Sequence, residues 1–191
     1  METIKTEFPE VLIIRPKIFR DDRGYFIETY NQTFFDEIVG REVNFIQDNE
    51  SQSECGVVRG LHFQEPPYTQ AKLLKVVKGS IVDIIVDIRI DSDTFGEHLI
   101  TKLDDIHKEQ LFVPRGFAHG FVALEDDTIL QYKVDNKYAP DFDSGILFDS
   151  IDINVREEIG HEEFILSEKD QQLKPFKEIG LFKTREYELN C

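Results

Sequence analysis

The feature that most constrains this chain is its punctuation. Short runs of apolar and β-branched residues recur between turn-forming residues: Val11–Ile14, Gly24–Tyr30, Lys72–Val77, Ser80–Ile90, His98–Leu103, Gln110–Val113, His119–Ala123 and Thr128–Lys133. Many short strands spaced in this way predict a β-sandwich or barrel. The Lys78-Gly79-Ser80 break predicts a hairpin turn between the runs on either side. Helix is scarce: one short amphipathic segment over Thr33–Val39, ending near Gly40, and a second starting at Ser167. Sixteen Phe and six Tyr with no Trp agree with sheet more than with a helical bundle. At 191 residues and 40% hydrophobic, the chain can bury one core without staples, so one domain is expected.

The net charge is −16, from 22 basic and 38 acidic residues. Nucleic-acid binding needs a basic face to neutralise phosphates, so that function class is excluded. A small phosphorylated ligand is not, because two or three placed Arg or Lys make a local cationic pocket. The first residues, Met-Glu-Thr-Ile-Lys-Thr-Glu, carry acids where a signal peptide has a basic region. The strongest apolar run, Ile84-Ile85-Val86, is fenced by Asp83 and Asp87, far short of a membrane span. Cys55 and Cys191 follow no disulfide or zinc spacing and predict a reducing, cytoplasmic setting.

Chemistry concentrates in a few segments. In Val58-Arg59-Gly60-Leu61-His62-Phe63-Gln64, an extended backbone puts Arg59, Leu61 and Phe63 on one face and Gly60 and His62 on the other. His62 sits among apolar residues: either a hydrogen-bonded core histidine or a pocket base under the influence of a nearby carboxylate. Val113-Pro114-Arg115-Gly116-Phe117-Ala118-His119 reads as a tight corner that sends His119 into the next strand, toward a barrel mouth. Ser167-Glu168-Lys169-Asp170 has the spacing of a helix capping box, but Asp170 can equally orient a histidine. Tyr132 is a packing residue or a proton donor. Asp21-Asp22-Arg23-Gly24-Tyr25-Phe26 is a β-turn entering a strand. Two histidines in a small barrel raise the question of iron or zinc, but there is no His-x-His and Glu65 is the only acid nearby, so no metal site is expected.

Taken together, Asp22-Arg23-Gly24-Tyr25-Phe26-x-Glu28, Gln47-Asp48-Asn49-x-Ser51, Arg59-Gly60-Leu61-His62-Phe63-Gln64, Gln70-Ala71-Lys72-Leu73, Pro114-Arg115-Gly116-Phe117-Ala118-His119-Gly120-Phe121, Tyr132-Lys133 and Leu166-Ser167-x-Lys169-Asp170 resemble the dTDP-4-dehydrorhamnose 3,5-epimerase family. The likeness runs from about Phe19 to Asp170. It implies an all-β, cupin-like jelly roll (a double-stranded β-helix) with short peripheral helices. Its core would span about 19–150, with a C-terminal segment, 151–191, packing on it and supplying Asp170. It also implies a homodimer with strand exchange at the N-terminal region, and no metal or organic cofactor. The expected substrate is a dTDP-4-keto-6-deoxy sugar, inverted at C3 and C5 on the way to rhamnose for a cell-surface polysaccharide.

By the same likeness His62 is the base, Asp170 its partner, Tyr132 the acid on the opposite face, and Lys72 the group that stabilises the enolate oxygen. Arg59 holds the diphosphate, Gln47 and Asn49 line the nucleotide cleft, and His119 lies near the sugar. Tyr138 stacks on the thymine, and Asp143 and Lys169 are further ligand contacts. Arg23, Phe26 and Glu28 bind substrate too, with Arg23 and Glu28 reaching the site of the partner chain. The chain departs from the family where Asp143 replaces the usual Glu, where Leu147–Val155 lacks the usual Trp and Pro, and where the acidic run Arg156–Glu163 intervenes. The readings that compete are an epimerase acting at one carbon or on another nucleotide sugar, a jelly roll that only binds, and a metal-dependent cupin enzyme.

Overall fold

The protein is described from a computed structural model, covering residues 2–151 and 163–188. Its strands are β1 Glu2–Lys5, β2 Leu12–Arg15, β3 Ile18–Asp21, β4 Gly24–Ile27, β5 Gln47–Ser53, β6 Val58–Gln64, β7 Lys72–Lys78, β8 Ser80–Asp87, β9 His98–Asp104, β10 Gln110–Val113, β11 Phe117–Ala123, β12 Thr128–Val134 and β13 Asp143–Gly145. They form a six-stranded sheet in the order β1-β2-β10-β7-β12-β5 and a five-stranded sheet in the order β13-β6-β11-β8-β9. A separate ribbon pairs β3 with β4. From β5 onward the chain repeatedly switches between the two large sheets, and every pairing in them is antiparallel, which is the jelly-roll way of closing a sandwich.

That switching corrects one expectation. The Lys78-Gly79-Ser80 break is not a hairpin, because β7 pairs with β10 and β12 while β8 pairs with β11 and β9. It is a corner from one sheet to the other. Gly79 takes φ +82°, and a Cβ there would meet Thr128 Oγ1 at 2.5 Å, so the corner depends on glycine's missing side chain.

The apolar pattern explains the layering. Between the sheets, Leu74, Val76, Leu111 and Leu130 pack against Ile81, Ile85, Phe117 and Phe121. The outer face of the five-stranded sheet, with Val58, Leu61, Phe63, Val82, Ile84 and Val86, is covered by C-terminal residues including Phe148, Ile179 and Tyr187. On the far side of the six-stranded sheet, helix α1 (Gln32–Val39) and the chain after it cover Leu12, Ile14, Leu73 and Phe112 with Phe35 and Val43. Asn31 caps α1 by accepting from the Phe34 amide, and Gly40 closes it at φ +78°. With both faces covered, β8 is buried along its whole length and carries apolar residues on both faces, interrupted at its middle by Asp83. The buried body extends further toward the N-terminus than residue 19, since Phe8 and Val11 lie in the inter-sheet core. Beyond Glu163 the tail forms two short helices, α2 (Glu168–Gln171) and α3 (Thr184–Tyr187).

Candidate active site

Between the sheets, at one end, lies a pocket of about 720 Å³. His62 and Asp170 meet at its edge, with His62 Nε2 2.6 Å from Asp170 Oδ1. Ser167 caps α2 by accepting from the Asp170 amide at 3.1 Å, but the Asp170 carboxylate turns to His62 and does not complete a capping box: the cap builds the helix, and the helix aims the carboxylate. Burial opposes ionisation of Asp170, but hydrogen bonds from His62 and Ser167 outweigh it and hold the carboxyl below its ordinary value.

The expected face pattern of β6 is overturned at this point. Leu61 and Phe63 join the outer core, but Arg59 faces the pocket together with His62. Along β11, His119 is opposite His62 and Phe121 is opposite Arg59. Two steps on β11 therefore match three on β6, a β-bulge that resets the alternation. Gly60 and Leu61 together face Gly120; Gly60 takes φ +126°, and a Cβ there would lie 2.6 Å from Gly120 Cα. The bulge is what lets Arg59 and His62 share one face only three residues apart.

Lys72 enters from β7, and its Nζ donates to the His62 carbonyl at 3.3 Å. Burial lowers its pKa to about 8, with Asp83 and then Asp143 opposing that fall. Tyr132 enters from β12, in the sheet facing the one that carries His62. Burial, aided by Asp143 and opposed by Arg59, raises the pKa of its phenol, which therefore stays a proton donor. His119 is buried within β11, not at its start, and its Nε2 lies 2.8 Å from Asp83 Oδ2. Burial lowers its pKa against the pull of Asp83, so the ring is held toward its neutral form.

The remaining expected ligands divide into two groups. Arg59, Gln47, Asn49, Tyr138, Asp143 and Lys169 all line the pocket. Arg59 is braced by Nε to Ser53 Oγ and by its terminal nitrogen to the Gln52 carbonyl, both at 2.9 Å. Gln47 donates to Asn49 Oδ1 at 2.7 Å, and Asp143 Oδ2 accepts from both the Tyr138 hydroxyl and Lys169. Arg23, Phe26 and Glu28 do not line this chain's pocket. They lie on or beside the β3–β4 ribbon, where Arg23 pairs with Asp21 and Phe26 is 69% exposed. The acidic run Arg156–Glu163, save its last residue, and the end of the Trp-less, Pro-less stretch fall outside the described residues. Among the described residues no group of three or more His, Cys, Asp or Glu is arranged to hold a metal ion, and no helix is long and apolar enough to cross a membrane.

The family model for dTDP-4-dehydrorhamnose 3,5-epimerase matches residues 5–178. The chain belongs to that family. It is 48% identical to the dTDP-4-dehydrorhamnose 3,5-epimerase of Methanothermobacter thermautotrophicus over 92% of this chain and 94% of the relative. The crystal structure of the Elizabethkingia anophelis 3,5-epimerase superposes with a TM-score of 0.86 at 42% identity, covering 93% of this chain and 97% of that one. The Legionella pneumophila 3,5-epimerase, solved in complex with dTDP-4-keto-L-rhamnose, gives a TM-score of 0.86 at 35% identity, over 95% and 97% of the two chains. The epimerase family's all-β jelly roll is thus the fold of this chain.

Within this epimerase fold, sequence reasoning misses one residue that lines the pocket, Ser51, and one that lies behind it, Asp83. Ser51 shares the pocket-facing side of β5 with Gln47 and Asn49, and its buried hydroxyl has no hydrogen-bond partner among the described residues. Asp83 reads in the sequence only as a charge fencing an apolar run, yet it is completely buried. The available signal is its parity: Asp83 alternates with Ile81 and Ile85, which both face the inter-sheet core, and a carboxylate on that face calls for a partner.

Proposed function

We propose that this chain is a dTDP-4-dehydrorhamnose 3,5-epimerase that inverts C3 and C5 of dTDP-4-dehydro-6-deoxy-D-glucose. Both carbons flank the C4 ketone, so removing either proton yields an enolate. His62 takes the proton while Asp170 stabilises the imidazolium that results. The Lys72 ammonium offsets the charge that develops on the C4 oxygen, a contribution of about 3–4 kcal/mol where such donors have been removed. Tyr132 returns a proton to the other face. One proton leaves and one returns at each carbon with no change in oxidation state, so the chemistry calls for neither a metal nor an organic cofactor.

The observation that carries this reading is the opposition of His62 and Tyr132 on facing sheets of one pocket. A base on one wall alone gives exchange with retention; an acid on the other wall gives inversion. Arg59 and Lys169 bind the diphosphate, Gln47 and Asn49 the nucleoside, Tyr138 the thymine ring, and His119 the sugar, with Asp143 holding Tyr138 and Lys169 in place. The enzyme acts in the cytoplasm as a homodimer, and the exposed ribbon delivers Arg23, Phe26 and Glu28 to the pocket of a second copy.

The deciding experiment incubates the protein with the 4-keto nucleotide sugar in D₂O and reads deuterium at C3 and C5 by NMR, with and without chelator. Deuterium at both carbons, unaffected by chelator, is expected. Deuterium at one carbon would make it a single-site epimerase, and none at either would overturn the reading. Mixing inactive Arg23→Ala and His62→Ala chains tests the shared site: activity returns only if one chain completes the pocket of the other.

A further inference from the structure

Two histidine–carboxylate pairs stand side by side in this pocket. His62 and His119 are directly opposite each other on β6 and β11, and both line the cavity. Each has its own acid: Asp170, on α2, for His62, and Asp83, on the central strand β8, for His119. The two acids differ in setting. Asp170 is held by a helix cap at the pocket edge, whereas Asp83 has no exposed surface and lies on the inward face of a strand made mostly of Ile and Val. One of its oxygens meets His119 Nε2 at 2.8 Å, and the other has no hydrogen-bond partner among the described residues.

A buried carboxylate with an unpartnered oxygen is costly to keep, and packing does not require it, since Ile81 and Ile85 fill the neighbouring positions. We infer that Asp83 is a positioning residue of the epimerase site: it accepts Nε2–H from a neutral His119, leaving Nδ1 as the ring's acceptor for a sugar hydroxyl, and provides the countercharge for the Lys72 ammonium. The inference rests on the epimerase reading above. The ionisable groups that act on Lys72 are Asp83 from β8, Asp143 from β13 and His119 from β11, while the His62 carbonyl of β6 accepts its hydrogen bond. Of the two carboxylates, Asp83 acts the more strongly. An ionised Asp83 thus fixes one tautomer and supports one charge at once, as outer carboxylates do for functional histidines elsewhere.

The test is Asp83→Asn, which keeps the shape and removes the charge. The expected result is a fall in kcat of about 10–100-fold, the range seen when outer-shell partners are removed. The alkaline limb of the kcat profile should also move down by about one pH unit, as loss of a nearby opposite charge requires. KM should change much less than kcat. A variant with an unmoved pH limb and a loss of activity that merely follows its loss of folded protein would overturn the inference. A second measurement needs no variant. In wild-type protein carrying ¹⁵N-histidine, long-range ¹H–¹⁵N spectra should report His119 as the neutral Nε2–H tautomer near pH 7. An Nδ1–H tautomer, which a protonated Asp83 donating to Nε2 would impose, refutes the inference whether or not the variant folds. Because that spectrum needs no substrate, its failure is distinct from a failure of the deuterium-exchange assay.

Discussion

Replacing Asp170 by Asn isolates the charge that the tail brings to His62. The pair is short, 2.6 Å between Nε2 and Oδ1, and the acid side chain is only 6% exposed while the imidazole is 32% exposed. In a fully buried catalytic triad, the equivalent change costs about 10⁴ in kcat by upsetting the histidine's tautomer and the stability of its cation. His62 keeps one face toward the open pocket, so water can stabilise part of the imidazolium charge. The loss should therefore be smaller, about 10²–10³-fold, or roughly 3–4 kcal/mol at 1.36 kcal/mol per tenfold. The helix that carries the residue should survive, because its cap is the backbone amide of Asp170 donating to Ser167, which the substitution leaves in place. The assay is deuterium incorporation at C3 and C5 at saturating substrate, with circular dichroism as a check on fold. Equal slowing at both carbons with an unchanged spectrum is expected, since one base serves both. Exchange within twofold of wild type would refute the argument, as would loss at one carbon alone.

Three further outcomes follow from the geometry. Gly60→Ala places a Cβ 2.6 Å from Gly120 Cα at φ +126°, adding strain and overpacking of about 1–3 kcal/mol each. At about 2–4 °C per kcal/mol, thermal unfolding should show a drop in Tm of roughly 4–24 °C, and an unchanged Tm would mean that β6 and β11 can part freely. The pKa of Lys72 near 8 predicts an alkaline limb: below it the ammonium is present and kcat is full, and as pH rises through about 8 the neutral amine no longer offsets the enolate and kcat falls. A kcat that stays level to pH 10 would remove Lys72 from that role. Arg59→Ala deletes a cation braced by Ser53 and the Gln52 carbonyl. Losing a charge-assisted contact of about 1.5–3 kcal/mol should raise KM about 10–100-fold with kcat little changed, and a steady KM would sink the diphosphate assignment.

The strands legible in the sequence are those with a face on the core. β7, β8, β9, β10 and β12 announce themselves through Val, Ile and Leu, because both their pairing and their burial select such residues. β5 is not legible. Its sequence, Gln-Asp-Asn-Glu-Ser-Gln-Ser, has no apolar residue, since it is an edge strand whose inward side lines the pocket and not the core. The Lys78-Gly79-Ser80 corner misleads for a related reason: glycine reports the backbone angle of a turn, but not whether the next strand pairs with the last or crosses to the other sheet.

For the site, the motifs name many residues that line one pocket, while alternation assigns the wrong faces. Strict period-two reasoning separates Arg59 from His62, and only the bulge at Gly60 puts both on the pocket wall. A bulge leaves little trace in one sequence beyond a glycine, and glycine serves many ends. Its cause is visible in the partner strand. Gly120 lies where a Cβ would come within 2.7 Å of the Arg59 carbonyl, so β6 and β11 approach each other glycine to glycine. Two glycines facing across a strand pair thus bring Arg59, His62 and His119 to one wall, while Lys72 and Tyr132 come from the other. In an acidic chain, that convergence is how a pocket for a doubly anionic nucleotide sugar is made: not by the overall field, which at physiological salt is screened beyond about 8 Å, but by a few cations held at fixed positions between the sheets.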